Sequence, residues 1–490
     1  MTAWIGVAIF FGLILIVGLV AALVLERHHP GWRRWEAGAY VWGLGTGLVT
    51  WLLFLPSTIG WPVPLTGIVW LALPAGILAI GMARTRRSVS EVPRRSGSPP
   101  LRTLDVALIA IIVILLLSSA TSAVSLPLQR FDAITHFGLK AKVLLEEQNF
   151  RAEAFTDPLR VHFHRTYPPL VPLLEASVST RIGWHDEHKI KIIFPAFYAA
   201  LLCLIYGAQR SFASRTHSLL FTALLASAPL VSSDSAGGAA SGLADLPFAF
   251  FATASALATS RGIASGRAMD GILGGLMAGF AICTKQEGSI LIAVIGVSLG
   301  VHLGLSARRG EWAKALPCVM AWACAVMVIA LPWWVVRAGP SRSDVGGIGW
   351  YLSQLHPERL TLLPSRILPL ARLTLEEFFQ VGKWLLLWPL VLAGVLSLAS
   401  RKGRISGGPE ASGSGVVIGF LVPLWAILLS LYLGVMLVTP LSMPWQVGYS
   451  LSRVILHLLP LGVFLASWSC RQVADVSDLF RERDLRPADE

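Results

Sequence analysis

The chain has 490 residues, of which 54% are hydrophobic and only 14% are charged. This composition excludes a soluble globular chain, a disordered chain and a disulfide-rich secreted chain, because each of these classes needs more charge or more cysteine. The net charge of +12 comes from 40 basic and 28 acidic residues. In the absence of a nucleic-acid-binding motif, this charge is typical of basic loops beside anionic lipid and predicts no nucleic-acid partner.

Long apolar stretches recur along the whole chain. A helix needs about 20 apolar residues to cross a membrane, and about thirteen segments meet this requirement. The sequence therefore predicts an all-α polytopic membrane protein with helical extracytoplasmic loops. The predicted spans are 3–25, 37–57, 62–83, 103–125, 190–208, 216–233, 244–260, 271–285, 288–306, 314–336, 379–399, 416–438 and 453–469.

Basic residues in the short loops predict the orientation, because arginine and lysine accumulate on the cytoplasmic side. With thirteen spans, every basic loop falls on one side, which places the N-terminus outside and the C-terminus inside. The first span lacks a preceding basic residue and is followed by arginines. We therefore interpret it as a retained helix and not as a cleaved signal peptide.

The spacing of spans and polar stretches predicts four segments. Residues 1–83 form an N-terminal three-span bundle, and residues 84–102, rich in Arg, Ser and Pro, form a basic cytoplasmic linker. Residues 103–336 form a module with most of the ionisable groups, and residues 337–490 supply an external loop, the last spans and a cytoplasmic tail.

Two acids follow or open predicted spans on the external side. Asp132 lies just beyond the span 103–125, at the level of the lipid headgroups, where a general base can meet a substrate from outside. Asp245 begins the span 244–260, and acids at this depth usually face a cavity. A solvated helix cap is the alternative for either residue.

Basic groups occur at the same predicted level. Lys285 and Glu287 interrupt a long apolar stretch, so the lysine either holds a phosphate or forms a surface pair with the glutamate. Arg453 and His457 lie one helical turn apart and share a face. They either clamp a lipid phosphate or extend towards bulk headgroups.

Four histidines in the external loop 126–189 leave a metal site open. The pair His162 and His164 has a spacing that zinc accepts, and His185 and His188 follow in the same loop. Without strand or helix context, this spacing does not decide whether a divalent metal binds.

The segments around these residues resemble the GT-C superfamily of integral-membrane glycosyltransferases. The nearer resemblance is to the bacterial branch related to glycosyltransferase family 39, which includes protein mannosyltransferases and aminoarabinose transferases. The resemblance lies in Asp132 with Lys140-Ala141-Lys142, in His164 to Pro172 with Tyr167-Pro168, in Ala244 to Pro247, and in Thr284 to Gly288.

The resemblance implies a GT-C-like fold and an enzyme of the bacterial cytoplasmic membrane. Such an enzyme moves a sugar from a polyprenyl-phosphate donor to a lipid, glycan or protein acceptor on the extracytoplasmic side, with inversion. Asp132 would be the general base and Asp245 the second acid, and some relatives also use a divalent metal. The donor phosphate would be bound by Lys285, Arg453 and His457, and the substrate by His164, Tyr167, Glu287 and Lys140.

Two other functions remain open at the level of the sequence. A transporter or flippase is also polytopic and basic inside, but it should place ionisable groups near mid-membrane in two related halves. A non-catalytic assembly subunit with a transferase-like fold is the other alternative. One departure from the family pattern bears on the acceptor: Asp132 is followed by Ala133, where many relatives have a second acid.

Overall fold

The computed structural model describes residues 2–26, 34–65, 100–156, 167–183, 185–233, 237–337, 353, 356–357, 361–400, 416–439 and 441–484. Within these ranges the regular structure is helical, without a strand, which confirms the predicted all-α fold. Seven of the described helices are long and apolar enough to cross a membrane, or eight if one bent pair counts as a single span. Most of the predicted span 62–83 and most of the linker 84–102 lie outside the described residues.

The N-terminal part consists of three long helices and the short helices of the loop after them. A π-helical turn, Ala133–Gly138, opens this loop, and a 3₁₀ turn, Lys189–Ile192, closes it. The helices are α1 Thr2–Glu26, α2 Arg34–Thr58, α3 Thr103–Ser125, α4 Leu139–Glu147, α5 Glu153–Thr156 and α6 Leu170–Ile182. The described residues of the predicted loop 126–189 are therefore largely helical, as expected.

The central part forms a bundle of consecutive antiparallel helices. Its helices are α7 Ile193–Gln209, α8 Arg215–Ser227, α9 Pro229–Ser232, α10 Asp245–Ser265, α11 Ala268–Thr284, α12 Gly288–Arg308 and α13 Trp312–Arg337. Each predicted span between 190 and 336 corresponds to one of these helices, with α8 and α9 together covering 216–233.

The C-terminal part departs from the predicted bounds at two places. Its helices are α14 Leu363–Phe378, α15 Val381–Trp384, α16 Leu387–Ser400, α17 Val422–Val438, α18 Met443–Gln446, α19 Ser452–Leu456 and α20 Leu459–Asp484, with π-helical turns at Val417–Leu421 and Val447–Leu451. The span predicted at 379–399 begins only at Leu387, because Leu385 has a φ of 54° and ends the preceding turn.

The last predicted span, 453–469, begins earlier and is bent. Helix starts at Met443, continues through the π-helical turn and bends by 53° between Leu456 and Leu459. Pro460 explains the break, because proline lacks the N–H that a continuous helix needs. Arg453 therefore lies just before the bend, and His457 lies within it.

Glycines allow helix α11 to pack closely on α13. A Cβ at Gly275 would lie 2.4 Å from the carbonyl oxygen of Trp322, and one at Gly279 would lie 2.6 Å from Ile329. Small residues are what let two helices approach at such distances. This packing fixes α11, the helix that ends beside Lys285.

Candidate active site

Two helix ends bring Asp245 and Lys285 together. Gly266, with a φ of 68°, turns the chain between α10 and α11, so the start of α10 lies beside the end of α11. The Nζ atom of Lys285 donates a hydrogen bond of 2.8 Å to Oδ1 of Asp245. The two residues are thus paired although they belong to different helices.

Asp132 lies at the same end of the bundle, between α3 and the π-helical turn Ala133–Gly138. Its Oδ2 accepts a hydrogen bond of 2.6 Å from Nη1 of Arg453, and its Oδ1 accepts one of 2.9 Å from the hydroxyl of Tyr449. The residue is only 6% exposed. Its carboxylate is therefore held inside the protein and is not a solvated helix cap.

Asp245 is fully buried and has cationic or basic groups around both oxygens. Arg453 donates from Nε to Oδ2 at 3.1 Å, and Nε2 of His457 lies 3.0 Å from Oδ1. Arg453 and His457 thus both contact the carboxylate of Asp245, in agreement with the helix face that they were predicted to share. Arg453 binds Asp132 as well, so its guanidinium bridges the two acids.

Lys285 is buried, with 4% exposure, and also donates a hydrogen bond of 2.8 Å to Oε1 of Glu287. The pair between Lys285 and Glu287 is present, but it is not a pair on the open surface. Burial by itself raises the pKa of Glu287, but the nearby charge of Lys285, the charge of His457 and the hydrogen bonds to the carboxylate together lower the pKa below its ordinary value. Glu287 is therefore a carboxylate at neutral pH.

These five residues form one ionic cluster, which has more negative than positive charge when its members are ionised. Asp132, Asp245 and Glu287 supply three carboxylates, whereas Lys285 and Arg453 supply two cations. Each cation is engaged by at least one carboxylate. An anion that enters the cluster must therefore compete with these carboxylates for Lys285 and Arg453.

A π-helical turn lies close to each residue of the Asp132–Arg453 pair. The π-helical turn Ala133–Gly138 follows Asp132 directly, and the turn Val447–Leu451 ends two residues before Arg453. Such turns are rare and are found frequently at functional sites, because the extra residue redirects the side chains near it. Here they accompany the two chain segments that meet in the cluster.

A second layer of residues lies behind Asp132. The Nε2 atom of His136 is 3.7 Å from Oδ1 of Asp132, and the imidazole ring packs against Tyr167 with ring centres 4.8 Å apart. Lys140 is buried and donates 2.8 Å to the carbonyl oxygen of Tyr167. Desolvation and the nearby charge of Asp132 raise the pKa of Tyr167 above its usual value, so this phenol is neutral.

Some predicted residues lie outside the described part of the chain, and others lie away from the cluster. His164 and His162 are not among the described residues. His185 is described, and its Nδ1 atom is 3.2 Å from the hydroxyl of Ser179. In the described ranges, no group of three or more histidines, cysteines or acids is arranged to hold a metal ion.

The carboxylates of Asp132 and Asp245 share an arginine side chain and are not arranged around a metal ion. One oxygen of each, Oδ2, accepts a hydrogen bond from the guanidinium of Arg453. A metal ion bridging the two acids would take the position that this guanidinium fills. The residues present thus fit an arginine bridge between the acids and do not fit a metal.

Two groups near Arg453 were not predicted from the sequence. Tyr449 binds Asp132, as described above. Ser452, beside Arg453, donates 2.6 Å to Oε1 of the buried Glu377 and accepts 2.9 Å from Nζ of Lys383. Nε1 of Trp384 donates 2.9 Å to the same Glu377 oxygen, so helix α14 holds the residue next to Arg453.

A small apolar cleft reaches His457 from the bundle interior. Phe248, Leu428 and Tyr432 line it, and so does Thr253. Among the described residues, Nδ1 of His457 and Oγ1 of Thr253 have no hydrogen-bond partner although both are buried. The cleft therefore has an apolar lining with two polar atoms, and it lies next to the ionic cluster.

The comparison with known families supports one of the classes that the sequence left open. Residues 166–335 match the family of dolichyl-phosphate-mannose-protein mannosyltransferases. This match supports a membrane glycosyltransferase of the GT-C type, as the resemblance predicted. The matched segment is about a third of the chain and includes Asp245, Lys285 and Glu287, whereas Asp132 and Arg453 lie outside it. No curated protein matches the chain significantly.

Proposed function

We propose that the protein moves a sugar from a polyprenyl-phosphate donor to an acceptor on the extracytoplasmic side of the bacterial cytoplasmic membrane, with inversion at the anomeric carbon. The observation that supports this proposal best is the shared cluster of Asp132, Arg453 and Lys285. In this cluster, Asp132 is a carboxylate suited to proton removal and binds Arg453. Arg453 and Lys285 are two cations suited to a leaving phosphate, and both bind Asp245.

Asp132 acts as the general base in the proposed reaction. It removes the proton of the acceptor hydroxyl or amine while that group forms a bond to the anomeric carbon, and the bond from this carbon to the phosphate oxygen breaks. A positioned base of this kind contributes about 10²- to 10⁴-fold to the rate. Asp245 is the second acid, and its full burial between Arg453, Lys285 and His457 supports a role in holding these groups.

Arg453 and Lys285 stabilise the phosphate as its negative charge grows. Because both cations are paired with carboxylates, the phosphate draws Arg453 away from Asp132 when the donor binds. Asp132 then loses a cationic partner whose charge opposes the arrival of a proton. This exchange makes proton removal depend on a bound donor.

The lipid and sugar parts of the donor have different surroundings in the proposal. The first isoprene unit of the donor contacts the apolar residues beside His457, which include Tyr432 and Leu428. Tyr167, Glu287 and Lys140 bind or position the sugar and acceptor, together with His164. The charges lie together at one end of the bundle, which supports an outward-facing enzyme over a transporter with mid-membrane charges.

A transfer assay tests the proposal. The purified protein is incubated with radiolabelled sugars on polyprenyl phosphate and with membrane extract as acceptor, and sugar release and transfer are followed. Wild-type protein should turn over at least one donor, and Asp132→Asn should lower turnover by about 10²-fold or more. The matched control is Asp186→Asn, since Asp186 caps the turn at His188 and Lys189 away from the cluster. No turnover of any donor by the wild type would contradict the proposal.

A further inference from the structure

Tyr449 contacts the carboxylate of Asp132 and is much more exposed than that residue. The tyrosine is 40% exposed, whereas Asp132 is 6% exposed. Its hydroxyl lies 2.9 Å from Oδ1 of Asp132, and Arg453 binds the other oxygen of the same carboxylate. An acceptor that arrives beside Tyr449 therefore meets the phenol oxygen before the buried carboxylate.

The ring of Tyr449 is held in place on two sides. It stacks on Trp445 with ring centres 5.3 Å apart and planes 11° apart, and the guanidinium carbon of Arg453 lies 5.7 Å from the ring centre. Tyr449 also lies within the π-helical turn Val447–Leu451. These contacts hold the hydroxyl of Tyr449 in one position beside Asp132, as proton transfer requires.

A phenol hydroxyl donates one hydrogen bond and accepts others at the same time. Tyr449 uses its proton on Asp132, so its oxygen lone pairs are left for an incoming hydroxyl. We propose that Tyr449 relays the proton from the acceptor to Asp132. This inference deepens the proposed glycosyl transfer and depends on it.

The proposed step balances without a further reactant. The acceptor oxygen gives its proton to the hydroxyl oxygen of Tyr449 while the proton of that hydroxyl passes to Oδ1 of Asp132. The acceptor oxygen forms the bond to the anomeric carbon, and the electron pair of the broken carbon–oxygen bond leaves with the phosphate. Tyr449 ends as the neutral phenol it was, and Asp132 ends protonated.

The test compares Tyr449→Phe with Tyr206→Phe. The first variant keeps the ring that stacks on Trp445 but removes the hydroxyl. The second makes the same chemical change at a tyrosine that packs on Trp35, at a distance of 6.1 Å, outside the cluster. Tyr449→Phe should lower kcat by about 10²-fold while donor affinity stays within about twofold of wild type. Tyr206→Phe should keep wild-type kcat.

A solvent isotope measurement distinguishes a proton relay from a hydroxyl that only stabilises the site. In mixtures of light and heavy water, the rate of the wild type should fall along a curved line, because two protons move in one step. Tyr449→Phe should give a straight line, because Asp132 then takes the proton directly. A straight line for both proteins, or a kcat of Tyr449→Phe within about threefold of wild type, would overturn the relay.

The relay and the proposed function fail in different ways. If Asp132→Asn loses transfer but Tyr449→Phe keeps it, the relay is wrong and the glycosyltransferase proposal stands. If the wild type transfers no sugar from any polyprenyl-phosphate donor, the proposed function fails and the relay fails with it.

Discussion

Arg453 and Asp132 form an ion pair of 2.6 Å although 321 residues separate them along the chain. The aspartate follows α3, and the arginine lies in α19, just before the bend in the last span. The pair therefore exists only when the first and last thirds of the protein have packed against the central bundle. Arg453 also reaches Asp245, so a single guanidinium joins all three parts at one point.

Removal of either cation should weaken the donor complex. Arg453→Ala and Lys285→Ala each delete a charge that the donor phosphate needs, and a hydrogen bond to a charged group contributes about 1.5–3 kcal/mol. We expect donor affinity to fall about 10- to 100-fold, as measured by titration of a polyprenyl-phosphate sugar into the detergent-solubilised protein. Arg372→Ala is the control, because Arg372 pairs with Glu376 on the surface. Equal affinities in all three variants would assign Arg453 and Lys285 structural roles.

Asp245 should matter for stability as well as for activity. It is fully buried and is the common partner of Lys285, Arg453 and His457. Removing one member of a buried ion pair costs about 3–5 kcal/mol, since the other charge loses its partner. Asp245→Ala should therefore lower the unfolding temperature in detergent clearly more than Asp245→Asn, whose amide oxygen still accepts hydrogen bonds. Wild-type unfolding temperatures for both variants would show that these contacts do not hold the cluster together.

Transfer should not depend on a divalent metal. The guanidinium of Arg453 already lies between the two acids that would otherwise share a cation, and it supplies the positive charge that the leaving phosphate needs. We expect the rate to stay within about twofold of the untreated enzyme after exhaustive chelation. A control with added magnesium after chelation checks for damage to the protein. A loss of activity that magnesium restores would contradict this prediction.

The sequence was sufficient to predict the fold class and most of the ionic cluster. Asp132, Asp245 and Lys285 are conspicuous because each lies at the end of a long apolar stretch, where an ionisable group needs a partner. Arg453 and His457 are found in the same way, and their spacing of one helical turn gives the shared face that contacts Asp245. The general physics of charges near lipid is enough to find these residues.

The residues that the sequence did not indicate depend on tertiary contacts. Tyr449 lies in a stretch rich in aromatic and apolar residues, where a tyrosine is ordinary at a membrane interface. Its role becomes visible only once α19 has packed beside the turn after α3. Glu377 and Ser452 likewise meet only because α14 approaches α19, and π-helical turns have no clear sequence pattern. The predicted start of the last span, residue 453, was too late, because the helix before it includes the π-helical turn Val447–Leu451.

The orientation of the bundle is the remaining premise of the proposed reaction, and cysteine labelling in intact cells tests it. Phe131 is 65% exposed next to Asp132, whereas Glu311 lies between α12 and α13, one helix length from Lys285. In a variant that lacks the five native cysteines, Phe131→Cys should react with a membrane-impermeant maleimide added to whole cells. Glu311→Cys should react only after the cells are permeabilised, because the basic loop near it is predicted to be cytoplasmic. The opposite pattern would place Asp132 on the cytoplasmic side, where nucleotide sugars are present and a polyprenyl-phosphate donor is not required.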